Sequence, residues 1–188
     1  MSGEIVRRKN NKDYTLDPLP KLGIQPYLDL MANTAGKETS IAFTRLGLLM
    51  LWFGDNVLDT IDLELSPFGI TESKLDLLLL LKLHESREGI APSSLADRLG
   101  IRRASVTALL DWLEKRNFIV REQSEVDRRM VHVKITPEGQ ELLNKVLPVF
   151  WSACSSIMDD LDQEEVILLD KLLVKLNASI ENKLGVGR

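Results

Sequence analysis

The 188-residue sequence contains little cysteine and histidine, which excludes several classes of site. A single cysteine forms neither an internal disulfide framework nor a cysteine-cluster zinc site. The two histidines, His84 and His132, have no cysteine or carboxylate nearby at the spacing of metal ligands. The sequence also lacks a glycine-rich phosphate loop and a nucleophile motif. We therefore expect no metal, no cofactor and no enzymatic activity.

Long hydrophobic runs are missing as well. The runs LGLLMLWFG and LLLLLKL are shorter than the roughly 20 residues that a membrane-spanning helix needs. The N-terminus, MSGEIVRRKNNKDYTLDPLP, lacks the apolar segment of a secretion signal. These features predict a cytoplasmic protein that does not bind membranes.

The net charge of −4 is unfavourable for binding a polyanion, but the charge is unevenly distributed. Residues 86–136 hold 10 Lys and Arg against 7 Asp and Glu, a net charge of +3. The other residues hold 14 basic against 21 acidic side chains, a net charge of −7. Contacts with nucleic acid are therefore expected within residues 86–136.

This basic segment has the pattern of a winged helix-turn-helix unit. A first helix is predicted at LADRLG, residues 95–100, where Gly100 supplies the positive φ of a tight turn. A second helix begins near Arg102, and Asn117, which tolerates the left-handed conformation, follows its end. Four apolar residues at helical spacing form its buried stripe: Val106, Leu109, Leu110 and Leu113.

The opposite face of the second helix is expected to contact DNA. Small side chains permit close approach to a major groove, hydroxyls can reach bases or phosphates, and arginine can pair with guanine. The predicted contact residues are Arg102, Arg103, Ala104, Ser105, Thr107 and Ala108. Helical geometry also directs Asp111 and Lys115 outward. The alternative is a solvated helix face that is basic at one end.

Two strands joined by a charged loop are predicted after this helix. The strands are FIVREQ, residues 118–123, and MVHVKI, residues 130–135, in which apolar and polar side chains alternate. The loop SEVDRR contains Asp127, Arg128 and Arg129, and a carboxylate beside two arginines can preorganise a cationic tip. Such a tip fits the narrow, electronegative minor groove of DNA.

The run LGIRRASVTALLDWLEKRNFIVRE, followed by DRRMVHVKITPEG, resembles the multiple-antibiotic-resistance regulator (MarR) family. The resemblance covers residues 75–143, and the DRR tip with its following strand and TPEG is the most specific part. It implies a homodimeric bacterial transcription factor whose recognition helices enter successive major grooves while a wing arginine enters the minor groove. The family's DNA-contacting positions correspond to Arg103, Ser105, Thr107, Asp127 and Arg129. The sequence departs from the family at Asn117, where glycine is usual, and in lacking a proline before the wing aspartate.

The chain around the winged unit is predicted to be helical, which gives a mainly α fold with a small β-hairpin wing. Polar residues at helix starts predict caps at Ser40, Thr71, Thr136 with Pro137, and Asp162 with Glu165 as a capping box. Pro26 is expected in the first turn of a short N-terminal helix. Pro148 is expected to kink or break the helix that begins at Pro137.

The last helix carries an apolar stripe that requires a partner: Leu169, Leu172, Leu173, Leu176, Ile180 and Leu184. We expect a second copy of the chain to cover it, although packing within the monomer is the alternative. The predicted organisation is a partly ordered extension at 1–38, a dimerisation region at 39–70 and 137–188, and a DNA-binding domain at 71–136. Two-fold symmetry predicts a pseudo-palindromic operator with half-sites roughly 34–36 Å apart.

The resemblance also implies a small aromatic or phenolic effector in a cavity between the dimer helices and the winged domain. Candidate lining residues are Trp52, Phe53, His84, Phe150 and Trp151. Aromatic residues at helical spacing are, however, more often part of a core than of a pocket. Cys154 could instead sense oxidants, but the flanking sequence SACSS offers no cation to lower the thiol pKa.

The sequence thus predicts a ligand-responsive homodimeric repressor that binds a double-stranded DNA operator. The alternative is a winged-helix protein-interaction module that uses the same surface without specific DNA binding. The outward arginines and the DRR tip favour DNA, since displaying them together is costly without a polyanion.

Overall fold

The computed structural model describes residues 22–85, 89–123 and 130–185. The helices and strands, in chain order, are α1 (Gln25–Thr34), α2 (Ile41–Leu65), α3 (Glu72–Leu83), α4 (Pro92–Leu99), α5 (Arg103–Glu114), β1 (Ile119–Gln123), β2 (Val131–Ile135), α6 (Pro137–Ser156) and α7 (Gln163–Leu184). This order confirms the predicted fold class, mainly helical with a small β-hairpin. The chain forms two compact units, Met1–Leu63 and Glu64–Arg188.

The first unit contains α1 and most of α2. Pro26 lies in the first turn of α1, as predicted, and the ring of Tyr27 meets Trp52 of α2 edge-on at 5.2 Å between centroids. The hydroxyl of Ser40 accepts a hydrogen bond from the N–H of Phe43 at 3.4 Å, at the start of α2. The predicted cap at Ser40 is therefore present.

The helical segment Ile41–Phe68, which contains α2, is long and apolar enough to cross a membrane by length and composition. The sequence prediction considered only the uninterrupted run LGLLMLWFG, and it missed that the apolar character extends over an 18-residue window. The core helix of a soluble protein passes the same test. Four carboxylates follow in the C-terminal part of the segment: Asp55, Asp59, Asp62 and Glu64.

The core of the second unit is built from leucines of α3 and the helices around it. Leu77 and Leu78 of α3 are completely buried, and none of the five consecutive leucines at 77–81 is exposed, so α3 is covered on several sides. Fully buried residues from the other elements include Leu95, Leu110, Leu113, Val133, Leu143 and Val146. The buried side chains of α5 and β2 are part of this core, so the core holds both elements in place.

The two strands form an antiparallel hairpin, with Ile119 opposite Ile135 and Gln123 opposite Val131. The sequence did not predict a third extended segment. Ile90 forms an isolated bridge with Val133, in which each N–H donates to the other residue's carbonyl, at 3.1 and 2.9 Å. A single bridging residue has no alternating pattern, so periodicity could not have found it.

Three local predictions require correction. The helix predicted to begin at Leu95 begins at Pro92, where proline occupies the first helical turn. Thr71 occupies the N-cap position of α3, but its hydroxyl makes no cap bond and accepts from Lys74 Nζ at 2.9 Å. The break that was one predicted effect of Pro148 is absent, since α6 is continuous from Pro137 to Ser156, and the other predicted effect, a kink, stays a prediction. Buried residues on both sides of the proline, Val146 and Ala153, anchor the helix.

The last helix, α7, begins with the predicted capping box. The Asp162 carboxylate accepts from the Glu165 N–H at 2.9 Å, and the Glu165 carboxylate accepts from the Asp162 N–H at 3.0 Å. None of the 22 residues of α7 is buried. Its apolar stripe is therefore not buried by the described residues of the second unit.

Candidate nucleic-acid interface

The turn between α4 and α5 has the predicted geometry. Gly100 adopts φ 66°, and the next residue, Ile101, donates its N–H to the Ala96 carbonyl at 3.2 Å. Arg102 is extended at the N-cap of α5, and its carbonyl accepts from the N–H groups of Ser105 and Val106 at 2.9 and 3.1 Å. Glycine permits this abrupt change of direction, which begins α5 with two arginines in succession.

The two faces of α5 differ as the sequence predicted. Val106, Leu110 and Leu113 are at most 1% exposed, and Leu109 is half-buried. The six predicted contact residues are all exposed: Arg102, Arg103, Ala104, Ser105, Thr107 and Ala108. Within the described part of the chain, neither arginine of this set forms an ion pair. The exposed face therefore offers two guanidinium groups beside small side chains.

The hydroxyl of Thr107 is partly committed to the helix. Its Oγ1 donates to the Arg103 carbonyl at 3.0 Å. The oxygen can still accept a hydrogen bond and the methyl group can still make apolar contacts, such as with the methyl group of thymine. Donation from Thr107 to a base would require this intrahelical bond to break.

The structure adds a contact between α5 and β1 that the sequence did not predict. Asp111 lies outside the buried stripe, as expected, but its carboxylate Oδ1 is 2.6 Å from a guanidinium nitrogen of Arg121. Glu114 also reaches Arg121, at 3.3 Å. These residues are ten and seven positions apart from Arg121, and no short-range pattern in the sequence indicates such a contact.

The base of the wing is well defined by hydrogen bonds. Asn117 adopts φ 61°, the left-handed conformation predicted for it, and the Phe118 N–H donates to the Leu113 carbonyl at 3.1 Å. The hydroxyl of Thr136 donates to the Asn117 carbonyl and accepts from the Gly139 N–H, which confirms Thr136 as the cap of α6. This one side chain thus joins the end of α5 to the start of α6.

Gly139 has a structural role that sequence reasoning missed. A Cβ atom at this position would lie 2.1 Å from the Phe118 carbonyl oxygen, a distance that no side chain tolerates. The first turn of α6 therefore packs directly on the backbone that begins the wing. The glycine of the TPEG segment was visible in the sequence, but the atom that it approaches is distant along the chain.

The predicted wing-tip residues, Asp127, Arg128 and Arg129, lie outside the described residues. The strands that lead to them are described up to Gln123 and from Met130 onward. Next to the tip, Glu122 of β1 pairs with Lys134 of β2 at 2.8 Å across the hairpin. The role of the tip stays a prediction.

The predicted effector-binding residues are distributed over both compact units. Trp52 and Phe53 belong to the first unit, where Trp52 packs against Tyr27. In the second unit, the rings of Phe150 and Trp151 pack against each other at 4.9 Å on α6. His84 lies at the end of α3, where its Nδ1 is 2.9 Å from the Leu80 carbonyl oxygen.

Two cavities in the second unit adjoin His84. The larger has a volume of about 300 Å³, and its lining includes Leu81, Ile90 and Val133. The smaller has a volume of about 160 Å³ and extends toward Ser94 and Arg98. The larger cavity is at the lower end of the size range of small-molecule sites, roughly 300–1,000 Å³.

Cys154 is half-buried on α6. Burial raises the pKa of its thiol, because the apolar surroundings disfavour the thiolate. A thiol that senses oxidants usually has a lowered pKa, so this environment argues against a redox role.

Comparison with known proteins places these features in a family context. Residues 70–131 match the model of the MarR family. The transcriptional repressor MprA of Escherichia coli is 36% identical over 140 residues, which cover 70% of this chain and 77% of MprA. A point variant of MarR from Escherichia coli, solved with operator DNA, has a TM-score of 0.63 at 24% identity and covers 70% of this chain and 92% of its own. CouR from Rhodococcus jostii, bound to p-coumaroyl-CoA, has a TM-score of 0.59 at 23% identity and covers 72% of this chain and 89% of its own.

Proposed function

This chain belongs to the MarR family of DNA-binding transcriptional regulators, and we propose that it is a homodimeric repressor released from its operator by a small effector. The observation that carries the proposal is the exposed face of α5, where Arg102 and Arg103 stand beside small side chains, opposite the buried stripe. A helix with this surface can lie in a major groove, with arginine pairing to guanine and small residues permitting close approach. MprA, a relative over most of its length, is a transcriptional repressor.

The wing is proposed to make the second contact with DNA. Strands β1 and β2 extend from the end of α5, so a loop at their tip can reach the groove next to the one that α5 occupies. In this proposal Arg129 enters the minor groove, and Asp127 orients the arginines of the tip. The contact would read groove width and charge more than base identity.

Dimerisation is proposed to involve the apolar stripe of α7. Leu172, Leu176 and Ile180 are 41–46% exposed in the single chain, and they recur at helical spacing along one helix. A second copy of the chain can cover such a stripe by two-fold symmetry, which places two copies of α5 on one DNA duplex. Half-sites roughly 34–36 Å apart and of inverted orientation follow from this symmetry.

An effector site is proposed for the dimer. CouR was solved with p-coumaroyl-CoA, and a small aromatic or phenolic compound is the proposed effector class here. The cavity beside His84 is a candidate for part of this site, because it adjoins both the end of α3 and β2 of the wing. A ligand that prefers one arrangement of these elements could change the affinity for DNA.

We assign the apolar segment of α2 to protein contacts rather than to a bilayer. Its C-terminal half carries Asp55, Asp59, Asp62 and Glu64, which are costly in a membrane. A cytoplasmic location accords with binding to DNA, and no catalytic activity is assigned.

The test of this function compares two arginine variants on an operator duplex selected from a random pool. Arg103→Ala on α5 should weaken binding by about 1–3 kcal/mol and relax the base preference at one position of each half-site. The matched control is Arg45→Ala on α2, which removes an exposed arginine that is not among the predicted DNA contacts and should leave the affinity unchanged. Fluorescence anisotropy with labelled duplex measures both.

Salt dependence provides the second readout of the same experiment. Phosphate contacts predict that the logarithm of the association constant falls linearly with the logarithm of the salt concentration. A flat dependence, or equal losses for Arg103→Ala and Arg45→Ala, would contradict the proposed interface and favour a protein-binding winged helix.

A further inference from the structure

A cluster of three charged side chains connects the exposed helix α5 to the wing. The guanidinium of Arg121 on β1 lies 2.6 Å from Asp111 Oδ1 and 3.3 Å from Glu114 Oε2. Asp111 and Glu114 are three residues apart on α5, so their side chains are neighbours on the helix surface. We refer to these three residues as the arginine clamp. The proposed function assigns them no role.

The clamp spans a short and sharply turned connection. Helix α5 ends at Glu114, Asn117 adopts φ 61°, and β1 begins at Ile119. The origin of β1 is fixed by Ile119, which is buried, and by the ring of Phe118, whose centroid lies 6.4 Å from that of Trp112 on α5. These contacts fix only the origin of β1 on α5, and further along β1 is held by its pairing with β2, whose buried Val133 is bridged to Ile90.

Arg121 supplies a second point of attachment further along the strand. It lies two residues beyond Ile119, a distance of roughly 7 Å in strand geometry. Two attachment points along one strand define its direction as well as its origin. The clamp therefore also sets the direction of β1 relative to α5.

The chemistry of the clamp suits this task. A guanidinium is planar and presents several N–H donors in a fixed fork, so it can bind two carboxylates at once in one orientation. The Arg121 side chain is only 26% exposed, which reduces the screening of its ion pairs by salt. Lysine would keep the charge but has a single ammonium on a flexible stem.

We propose that Arg121 is a positioning residue for DNA recognition, which holds the wing at a fixed angle to α5 by binding Asp111 and Glu114. The inference rests on the proposed function, because it requires α5 and the wing to contact the same DNA site. A wing that can tilt loses its alignment with the minor groove when α5 occupies the major groove. The attraction of the protein to phosphates does not depend on this alignment. The clamp therefore contributes to the preference for the operator over other DNA.

Neutralising the two carboxylates separates positioning from simple charge attraction. Asp111→Asn with Glu114→Gln makes the protein more positive, so attraction alone predicts tighter binding to every duplex. Positioning predicts a smaller preference for the operator. Attraction alone therefore predicts an unchanged ratio of operator affinity to non-specific affinity, whereas positioning predicts a lower ratio.

Two other glutamates provide a control, because replacing both changes the net charge by the same amount as the clamp variant. Glu122 pairs with Lys134 at 2.8 Å across the hairpin, and Glu141 pairs with Lys145 at 2.6 Å on α6. Glu122→Gln with Glu141→Gln removes two carboxylates from ion pairs and leaves the clamp intact. Any effect of net charge alone appears in this control.

The experiment measures the dissociation constants of the full chain for the selected operator and for a scrambled duplex of equal composition, at one salt concentration. The dissociation constant for the scrambled duplex divided by that for the operator should fall about tenfold for Asp111→Asn with Glu114→Gln, and change less than about twofold in the control. Arg121→Lys should also lower the ratio, since it keeps the charge but loses the fork. Circular dichroism melting establishes that each variant is folded at the assay temperature.

An unchanged ratio in the clamp variants would overturn the positioning role. A loss confined to Arg121→Lys, with the double carboxylate variant unchanged, would assign Arg121 to a direct DNA contact and overturn it as well. A wild-type protein that prefers no duplex would refute the proposed function, and the clamp inference with it.

Discussion

Helices α5 and α7 carry the same kind of apolar stripe, but among the described residues the stripe of α5 is buried and that of α7 is largely exposed. Leu110 and Leu113 of α5 are 1% and 0% exposed, whereas Leu172 and Leu176 of α7 are 46% and 41% exposed. Both sets recur at helical spacing. Periodicity therefore indicates which face of a helix requires a partner, but it does not indicate whether the same chain or another chain supplies that partner.

The difference has a physical origin in how each helix is connected. α5 follows α4 after the tight turn at Gly100, leads into β1 through Asn117, and contacts α3, α4 and β1. α7 extends for 22 residues without a buried residue. An exposed apolar stripe of this length is typical of a surface that binds another protein.

The largest effect expected from this comparison comes from a leucine of α5. Leu110→Ala should lower the free energy of unfolding by about 2–5 kcal/mol, because it leaves a cavity in a core that is closed within one chain. The loss should persist at every protein concentration. Urea denaturation at two protein concentrations measures it.

The matched substitution on α7 sharpens the comparison. Leu176→Ala should weaken dimerisation roughly tenfold to a hundredfold, because each copy loses apolar area that the dimer buries. The accompanying loss of stability should grow as the protein is diluted. Sedimentation measures the association, and Lys175→Ala, on the same helix, is the control and should associate normally.

Two results would contradict this comparison of α5 with α7. Normal association of Leu176→Ala would remove the stripe of α7 from the dimer interface. A loss of stability for Leu110→Ala that depends on protein concentration would show that the α5 core is completed by the partner rather than by its own chain.

The smallest effect, a change in operator affinity, is expected at Cys154. This residue is half-buried, between the buried stripe of α5 and the exposed stripe of α7. Since burial raises the pKa of this thiol, a smaller fraction is thiolate at pH 7 than in a free cysteine, and its reaction with Ellman's reagent should be slower. Cys154→Ser should change operator affinity less than about twofold. Fast modification that also releases DNA would support oxidant sensing instead.

Features that depend on neighbouring residues could be predicted from the sequence. The positive φ of Gly100 and Asn117, and the capping box of Asp162 and Glu165, each follow from local chemistry and are present. The buried and exposed faces of α5 follow from helical spacing. The sequence-based account of the DNA-binding surface is therefore most complete on this helix.

Features that depend on distant residues could not be predicted. The bridge of Ile90 with Val133 and the close approach of Gly139 to the Phe118 carbonyl join positions that no short pattern relates. The contact of Asp111 with Arg121 is of the same kind. The continuity of α6 through Pro148 shows the same limit, because packing on both sides of the proline outweighs its local preference.

The central claim is that a dimer of this chain reads DNA sequence with α5. The most direct measurement is selection of bound duplexes from fragments of the source genome, with purified protein at near-physiological salt. The account predicts enrichment of one motif with two-fold symmetry, whose half-sites are separated by about one turn of DNA. A folded, dimeric protein that enriches no motif would contradict it.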